Sequence, residues 1–139
     1  MSTNLVDIVK SAGIVGAGGA TFPTHVKVNA EVETVIVNGA ECEPLLRVDQ
    51  QLMADRTADM LAALKAVMDH TKAGNGIIGL KKKYVPAIEA FRKELANYPS
   101  IKLHIMDNFY PAGDEQTLVY ETTGRIVPEG GIPLNVGTL

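Results

Sequence analysis

The chain has one cysteine, Cys42, and no tryptophan. A single thiol excludes an internal disulfide, and it excludes an iron–sulfur cluster built by this chain alone, which normally takes four thiolates. The histidines at 25, 70 and 104 are scattered without a zinc-like spacing, so no metal site is expected. No apolar run approaches the roughly 20 residues of a membrane span, which argues against direct membrane insertion. The N-terminus lacks a signal-peptide layout, because Asp7 and Lys10 interrupt its apolar residues. The expected setting is cytoplasmic, or the cytoplasmic face of something larger. A net charge of −3 and a pI near 5.6 give no general attraction to nucleic acid. Lys81-Lys82-Lys83, the only basic run, reads as a solvated loop or helix start.

What remains is the composition of one globular domain: 139 residues, 46% hydrophobic and 21% charged. Residues 3–12 form a short helix in this reading, capped by Ser2 or Thr3, with Leu5, Ile8 and Val9 on one face and Gly13 as its stop. After a glycine-rich stretch comes an irregular segment, Val26–Val32. Thr34–Val37 is a β-branched run that ends at Asn38-Gly39, as a buried strand would. Residues 50–71 carry Met53, Met60, Leu61, Leu64, Val67 and Met68 at helical spacing, with Asp49 as the expected cap, and Gly74-Asn75-Gly76 closes the segment. The methionines in that stripe are core packing. Ile77–Leu80 reads as a second strand. A helix beginning near Pro86 presents Val85, Ile88, Phe91 and Leu95 on one face. Ile101–Met106 is a third strand.

The order β-α-β-α-β implies parallel strands joined by right-handed crossovers. The expected fold class is therefore α/β. A further helix spans about 115–123, with Asp114 and Glu115 at its N-terminus and Gly124 at its end. The tail, with Pro128, Gly130, Gly131 and Pro133, reads as irregular and as the edge of a domain cut from a longer protein.

Gly13–Lys27 contains four glycines in seven residues, at 13, 16, 18 and 19. Without side chains, successive N–H groups can point into one concavity that favours an anion. Lys27 adds a mobile positive charge and Phe22 an apolar face, which suits a phosphate carrying a flat ring. The same residues also read as a plain glycine-rich connector. In a parallel sheet, ligands gather at the carboxyl ends of the strands, where Asn38–Pro44 and Tyr110–Glu115 would meet. Asn38 offers an amide, while Glu41 and Glu43 are acceptors suited to ribose hydroxyls or a carboxamide. Alternatively, the two glutamates form an exposed acidic turn. Cys42, between them, has its thiolate disfavoured and is not expected to act as a nucleophile.

Three segments carry a resemblance. Gly-Ala-Gly-Gly-Ala-Thr-Phe-Pro-Thr-His-Val-Lys (16–27) resembles the flavin loop shared by the Rnf C protein of the Rnf electron-transport complex and the NADH-oxidising flavoprotein of respiratory complex I. Asn-Gly-Ala-Glu-Cys-Glu-Pro (38–44) is similar to a second Rnf C signature. Tyr-Pro-Ala-Gly-Asp-Glu (110–115), with Val-Pro-Glu-Gly-Gly-Ile-Pro (127–133), is similar to a third. Order and spacing agree across nearly the whole chain, and partner proteins of D-proline reductase systems share the pattern.

The resemblance implies a Rossmann-like, three-layer α/β domain with a mostly parallel sheet and a glycine-rich flavin loop, binding FMN and NADH. Gly16, Gly18, Gly19 and Lys27 match residues that hold the FMN phosphate and ribityl chain, and Asn38 matches one near the isoalloxazine ring. Phe22 matches an aromatic that stacks on NADH. Glu43 and Glu115 match acidic positions that receive NADH, and Tyr110 and Gly113 lie close to the flavin. There are departures from complex I. Ala17 replaces an arginine and Ala40 an aspartate, as in Rnf C-like proteins. Thr21 stands where glycine is common, narrowing the approach to the ring.

A later Asn/Thr flavin motif, the β-grasp segment and the four-cysteine motifs are absent. The 4Fe-4S clusters are therefore expected only in a full-length protein, with this chain as its FMN/NADH-binding domain over residues 1–139. The implied activity is hydride transfer from NADH to FMN, with electrons passed to iron–sulfur partners in other subunits of an electron-transfer complex, peripheral on the cytoplasmic face of a membrane. The alternatives are a docking module that has lost flavin, or an NADH or nucleotide sensor without redox turnover.

Overall fold

The computed structural model describes residues 4–16 and 21–139. Strands β1 (Thr34–Asn38), β2 (Asn75–Lys81) and β3 (Ile101–Met106) form a parallel sheet in the order β1-β2-β3. Between β1 and β2 run α3 (Val48–Asp55) and α4 (Thr57–Thr71), and between β2 and β3 runs α5 (Val85–Glu94). Two short helices, α1 (Leu5–Ser11) and α2 (Thr24–Lys27), precede the sheet, and α6 (Glu115–Thr123) follows it.

Period-two alternation sorts the strand residues between two layers. Val35, Ile78 and Leu80 join Met53, Leu61, Leu64, Met68, Ile88 and Phe91 in one buried core beneath α3, α4 and α5. The methionine stripe is core, as its spacing indicates. On the other face, Ala40, Met106, Ala112 and Leu118 form a smaller cluster with Ile36 and Phe109 packed against it. Helices thus cover both faces, as a parallel sheet requires. On the second face α6 sits very close to the sheet. A Cβ built on Gly79 would lie 2.6 Å from Leu118 Cδ1, so a glycine there admits the helix.

Several local expectations change. The cap of α1 is Asn4, whose Oδ1 accepts from the Val6 N–H at 3.3 Å; Ser2 and Thr3 lie outside the described residues. Residues 24–27, at the end of the expected ligand loop, form a one-turn helix, and the following stretch buries Val28 and Val32. The single helix expected over 50–71 is two. At Arg56 the backbone leaves the helical region (φ −124°, ψ 31°), and the Thr57 hydroxyl donates back to the Met53 carbonyl at 2.6 Å. The break frees α3 to pack on α5 while α4 lies on the sheet. Helix α3 starts at Val48, so Asp49 does not cap it but sits in its first turn, where a carboxylate still favours the helix dipole. Val85 is half exposed rather than part of the α5 core face, which Ile88 and Phe91 supply.

Two segments that read as polar or irregular take part in the sheet. Lys81 is not solvated: it ends β2 and is buried. The tail pairs with the free edge of β1: Leu139 N–H donates to Thr34 O at 3.0 Å, Ile36 N–H donates to Leu139 O at 2.6 Å, and Thr138 forms a parallel bridge with Thr34. An edge strand carries unpaired N–H and C=O groups, and the tail satisfies them. Arg125 holds the tail in place, donating to the Val136 carbonyl at 2.6 Å and pairing with Glu33. Among the described residues no helix is long and apolar enough to cross a membrane.

Candidate functional site at the carboxyl edge of the sheet

Parallel strands leave their carboxyl ends on one edge, and here Asn38, Lys81 and Met106 mark it. The turns that follow β1 and β3 are bound together there. Asn38 Nδ2 donates to the Gly113 carbonyl at 2.8 Å, and Asn38 Oδ1 accepts from Ala40 N–H at 3.2 Å. The Gly113 N–H donates to Cys42 Sγ at 3.0 Å, and the Cys42 thiol reaches the Ala40 carbonyl at 3.6 Å. Both polar groups of Gly113 are thereby engaged. A Cβ on Gly113 would stand 2.0 Å from the Ala40 carbonyl oxygen, a separation no side chain allows. The glycine at 113 is thus a packing requirement of the two turns. Cys42 has a positioning role that its chemistry as a nucleophile did not indicate. The Tyr110–Pro111 peptide in the same turn is cis.

The residues expected to bind ligand divide between two cavities. Lys27, Asn38 and Glu115 line one of about 130 Å³, walled by Ile36, Leu118 and Leu139. Glu41, Glu43 and Tyr110 line another of about 600 Å³, together with Arg47, Lys81, Lys83 and Tyr84. Asn38 belongs to the first and Cys42 to the second, and the Gly113 peptide is bonded to both. Gly18 and Gly19 lie outside the described residues. Gly16 N–H donates to Phe22 O at 3.0 Å, and Val15 and Pro23 form an antiparallel bridge, so the flanks of the glycine loop close on each other. Phe22 is exposed, and neither it nor Gly16 shares a cavity with the other expected residues among those described.

The small cavity fits a flavin phosphate chemically. Lys27 is an exposed cation, the second Asn38 amide N–H has no partner among the described residues, Glu115 adds a carboxylate, and Ile36, Leu118, Val119 and Leu139 give an apolar wall. Among the described residues a Cβ on Gly16 would come no closer than 3.6 Å, to Phe22 N, an ordinary contact.

In the larger cavity, Tyr84 is held above the usual phenol pKa, first by burial and then by the charges of Glu41, Cys42 and Asp49. It is therefore a protonated donor at neutral pH, and its hydroxyl lies 3.4 Å from the Glu41 carbonyl. Outside that cavity, just past the ends of β2 and β3, the Lys82 ammonium donates to Asp107 at 2.7 Å, and this bond and charge hold Asp107 below the usual carboxylate range.

A parallel α/β sheet with cavities beside the carboxyl ends of its strands has the form in which such domains hold ligands. Comparison with known proteins narrows it. Residues 9–139 match the Nuo51 FMN-binding domain, and the chain belongs to that family. It is 49% identical over 131 residues to the cobalamin reductase PduS of Citrobacter freundii, covering 94% of this chain and 29% of that protein. It is 40% identical over 136 residues to a component of the Na(+)-translocating ferredoxin:NAD(+) oxidoreductase complex of Acetobacterium woodii, covering 95% of this chain and 31% of that component. The fold matches an NAD+-reducing [NiFe]-hydrogenase in the air-oxidised state with a TM-score of 0.74 and 26% identity, over 96% of this chain and 27% of that one. The chain thus spans less than a third of the length of these relatives. The Rnf-like and complex I-like resemblance and the three-layer α/β fold are both borne out.

Proposed function

We propose that this chain is the FMN-binding domain of an oxidoreductase that takes electrons from NADH and passes them to partners in an electron-transfer complex. The observation that carries this reading is the joining of Lys27, Asn38 and Glu115 in one cavity at the carboxyl edge of the sheet, in a chain of the FMN-binding family. The names of the relatives, a cobalamin reductase and a component of a ferredoxin:NAD(+) oxidoreductase complex, support an oxidoreductase.

Bound FMN supplies the capacity to accept a hydride from a nicotinamide and to release electrons one at a time. The chain's own residues bind and orient. Lys27 neutralises phosphate charge, and Gly16, with Gly18 and Gly19, lets the backbone approach the phosphate and ribityl chain. Asn38 holds the 110–115 turn and directs its remaining N–H toward the ring, beside Tyr110 and Gly113. Glu43 and Glu115 accept hydrogen bonds from NADH, Glu41 accepts from a ribose hydroxyl, and Phe22 stacks on the dinucleotide. Little acid–base chemistry is asked of the protein, whose contribution is to hold two rings at near-attack distance. The iron–sulfur acceptors and the association with a membrane belong to partner subunits or to further domains of a full-length protein.

Titration of the purified protein into FMN, followed by fluorescence quenching, tests the reading. Saturable quenching that Lys27→Ala weakens by roughly 10- to 150-fold is expected, the worth of one charge-assisted hydrogen bond. Flavin-dependent oxidation of NADH is then measured directly. Absence of quenching, both here and in a longer version carrying further sequence, would favour the docking module.

A further inference from the structure

Lys81 is a buried cation with no part in holding flavin. It is 6% exposed at the end of β2, and its Nζ donates to the Glu41 carbonyl at 2.7 Å. Among the described residues no carboxylate lies within ion-pair distance of it. A buried ammonium is normally paired, because its desolvation otherwise goes uncompensated. Packing alone does not account for it, since a methionine of similar length would fill the same space without that cost.

What the ammonium holds is the turn that follows β1. A carbonyl oxygen and the next N–H share one rigid plane, so gripping the Glu41 carbonyl fixes the Glu41–Cys42 peptide. The buried Tyr84 brings its hydroxyl to 3.4 Å from the same oxygen. From that fixed peptide the Glu41 carboxylate reaches forward to accept from the Glu43 N–H at 2.8 Å. On its other side Cys42 Sγ accepts from the Gly113 N–H at 3.0 Å. The Gly39 N–H, donating to the Gly79 carbonyl at 2.8 Å, ties the start of the turn to β2. Lys81 ties the middle of the turn to the same strand, and the charge makes its bond about twice as strong as a neutral donor would.

We propose that Lys81 is a positioning residue that clamps the Glu41–Cys42 peptide and so aims the Glu41 and Glu43 carboxylates, a role that rests on the reading of those glutamates as acceptors for NADH. Its own ammonium stays on the carbonyl and does not touch the ligand. The clamp leaves the flavin side largely alone, because Lys27 and Glu115 are carried by α2 and α6 and Asn38 keeps its separate bond to Gly113.

Lys81→Met and Lys81→Arg, each titrated with FMN and then, loaded with FMN, with NADH, test the role, alongside amide hydrogen exchange of the unliganded protein. Lys81→Met is expected to speed exchange at Gly113 about tenfold. It is expected to weaken NADH binding about tenfold and to change FMN affinity by less than about threefold. Lys81→Arg, which keeps the charge, is expected to recover most of the NADH affinity. In turnover the loss is expected in KM for NADH, with kcat nearly unchanged. NADH affinity indifferent to Lys81→Met, or an equal loss for FMN and NADH, overturns the role. Wild-type protein that takes up FMN but binds no NADH would sink the NADH reading before any variant is compared, and this role with it. Should Lys81→Met fail to fold, as far-UV circular dichroism would show, the wild type decides. NMR of its isotope-labelled lysines is expected to show a hydrogen-bond coupling from Lys81 Nζ to the Glu41 carbonyl carbon that persists when NADH is added. Loss of that coupling on addition would mean that the ammonium moves to the ligand, which overturns a positioning role.

Discussion

The two faces of the sheet are held by different means. Beneath α3, α4 and α5 lies a continuous core in which Leu61, Leu80 and Phe91 are wholly buried. Beneath α6 the apolar cluster is four buried residues, and the rest of that face is joined by polar links and close backbone approaches. The second depends on Asn38, Cys42 and Gly113 meeting at fixed distances, and the residues proposed to bind ligand stand on both sides of that junction. Stability is concentrated on one face and binding geometry on the other, because a site needs polar groups and open space that a close-packed core excludes.

Phe91→Ala should be the most damaging substitution, costing about 3–5 kcal/mol through lost burial and a cavity. Chemical denaturation measures it, and a loss under about 1 kcal/mol would show that the large core is less essential than its burial implies. Gly113→Ala should cost about 1–3 kcal/mol by driving a methyl group into the Ala40 carbonyl. It should also weaken FMN binding disproportionately, since it spreads the two turns. A melt and a flavin titration on the same sample separate these effects, and an unaffected flavin affinity would detach the junction from the site. Asp114 caps α6, accepting from Thr117 N–H at 2.9 Å, so Asp114→Ala should cost about 1 kcal/mol. Helix protection in hydrogen exchange is the readout, and the loss should be confined to α6.

The smallest effect concerns the Lys82–Asp107 pair. Asp107, held low by Lys82, contributes its share above the ordinary carboxylate range and loses it as pH falls through its lowered value. Lys82→Ala should return the Asp107 titration, followed by NMR, toward the ordinary value. Both groups are exposed, so global stability should hardly change.

Much of this architecture is legible in local pattern. Ile101–Met106 and Glu115–Thr123 have the same limits in sequence and structure, because alternation, an acidic start and Gly124 mark them unambiguously. The break at Arg56 is not legible. No glycine or proline marks it, and apolar spacing runs on through 50–71, while in the structure α3 packs on α5 and α4 on the sheet. Nor does a run of three lysines reveal which one is buried. Lys81 continues the period of β2 while Lys82 and Lys83 turn out of it, and that phase depends on where β3 pairs. The division of the expected site residues into two cavities was likewise invisible, since spacing along the chain carries no information about which side of a turn a side chain takes.

The sequence by itself determined the succession of strands and helices, their parallel order and the candidate chemistry of the turns, because those follow from short-range periodicity and residue type. The meeting of Asn38 and Cys42 with Gly113, the closing of the β1 edge by the tail, and the burial of Lys81 without a carboxylate partner among the described residues belong to the tertiary structure alone. Each of these is a meeting of residues far apart in the chain, and such meetings exist only once the core has set the distance between them.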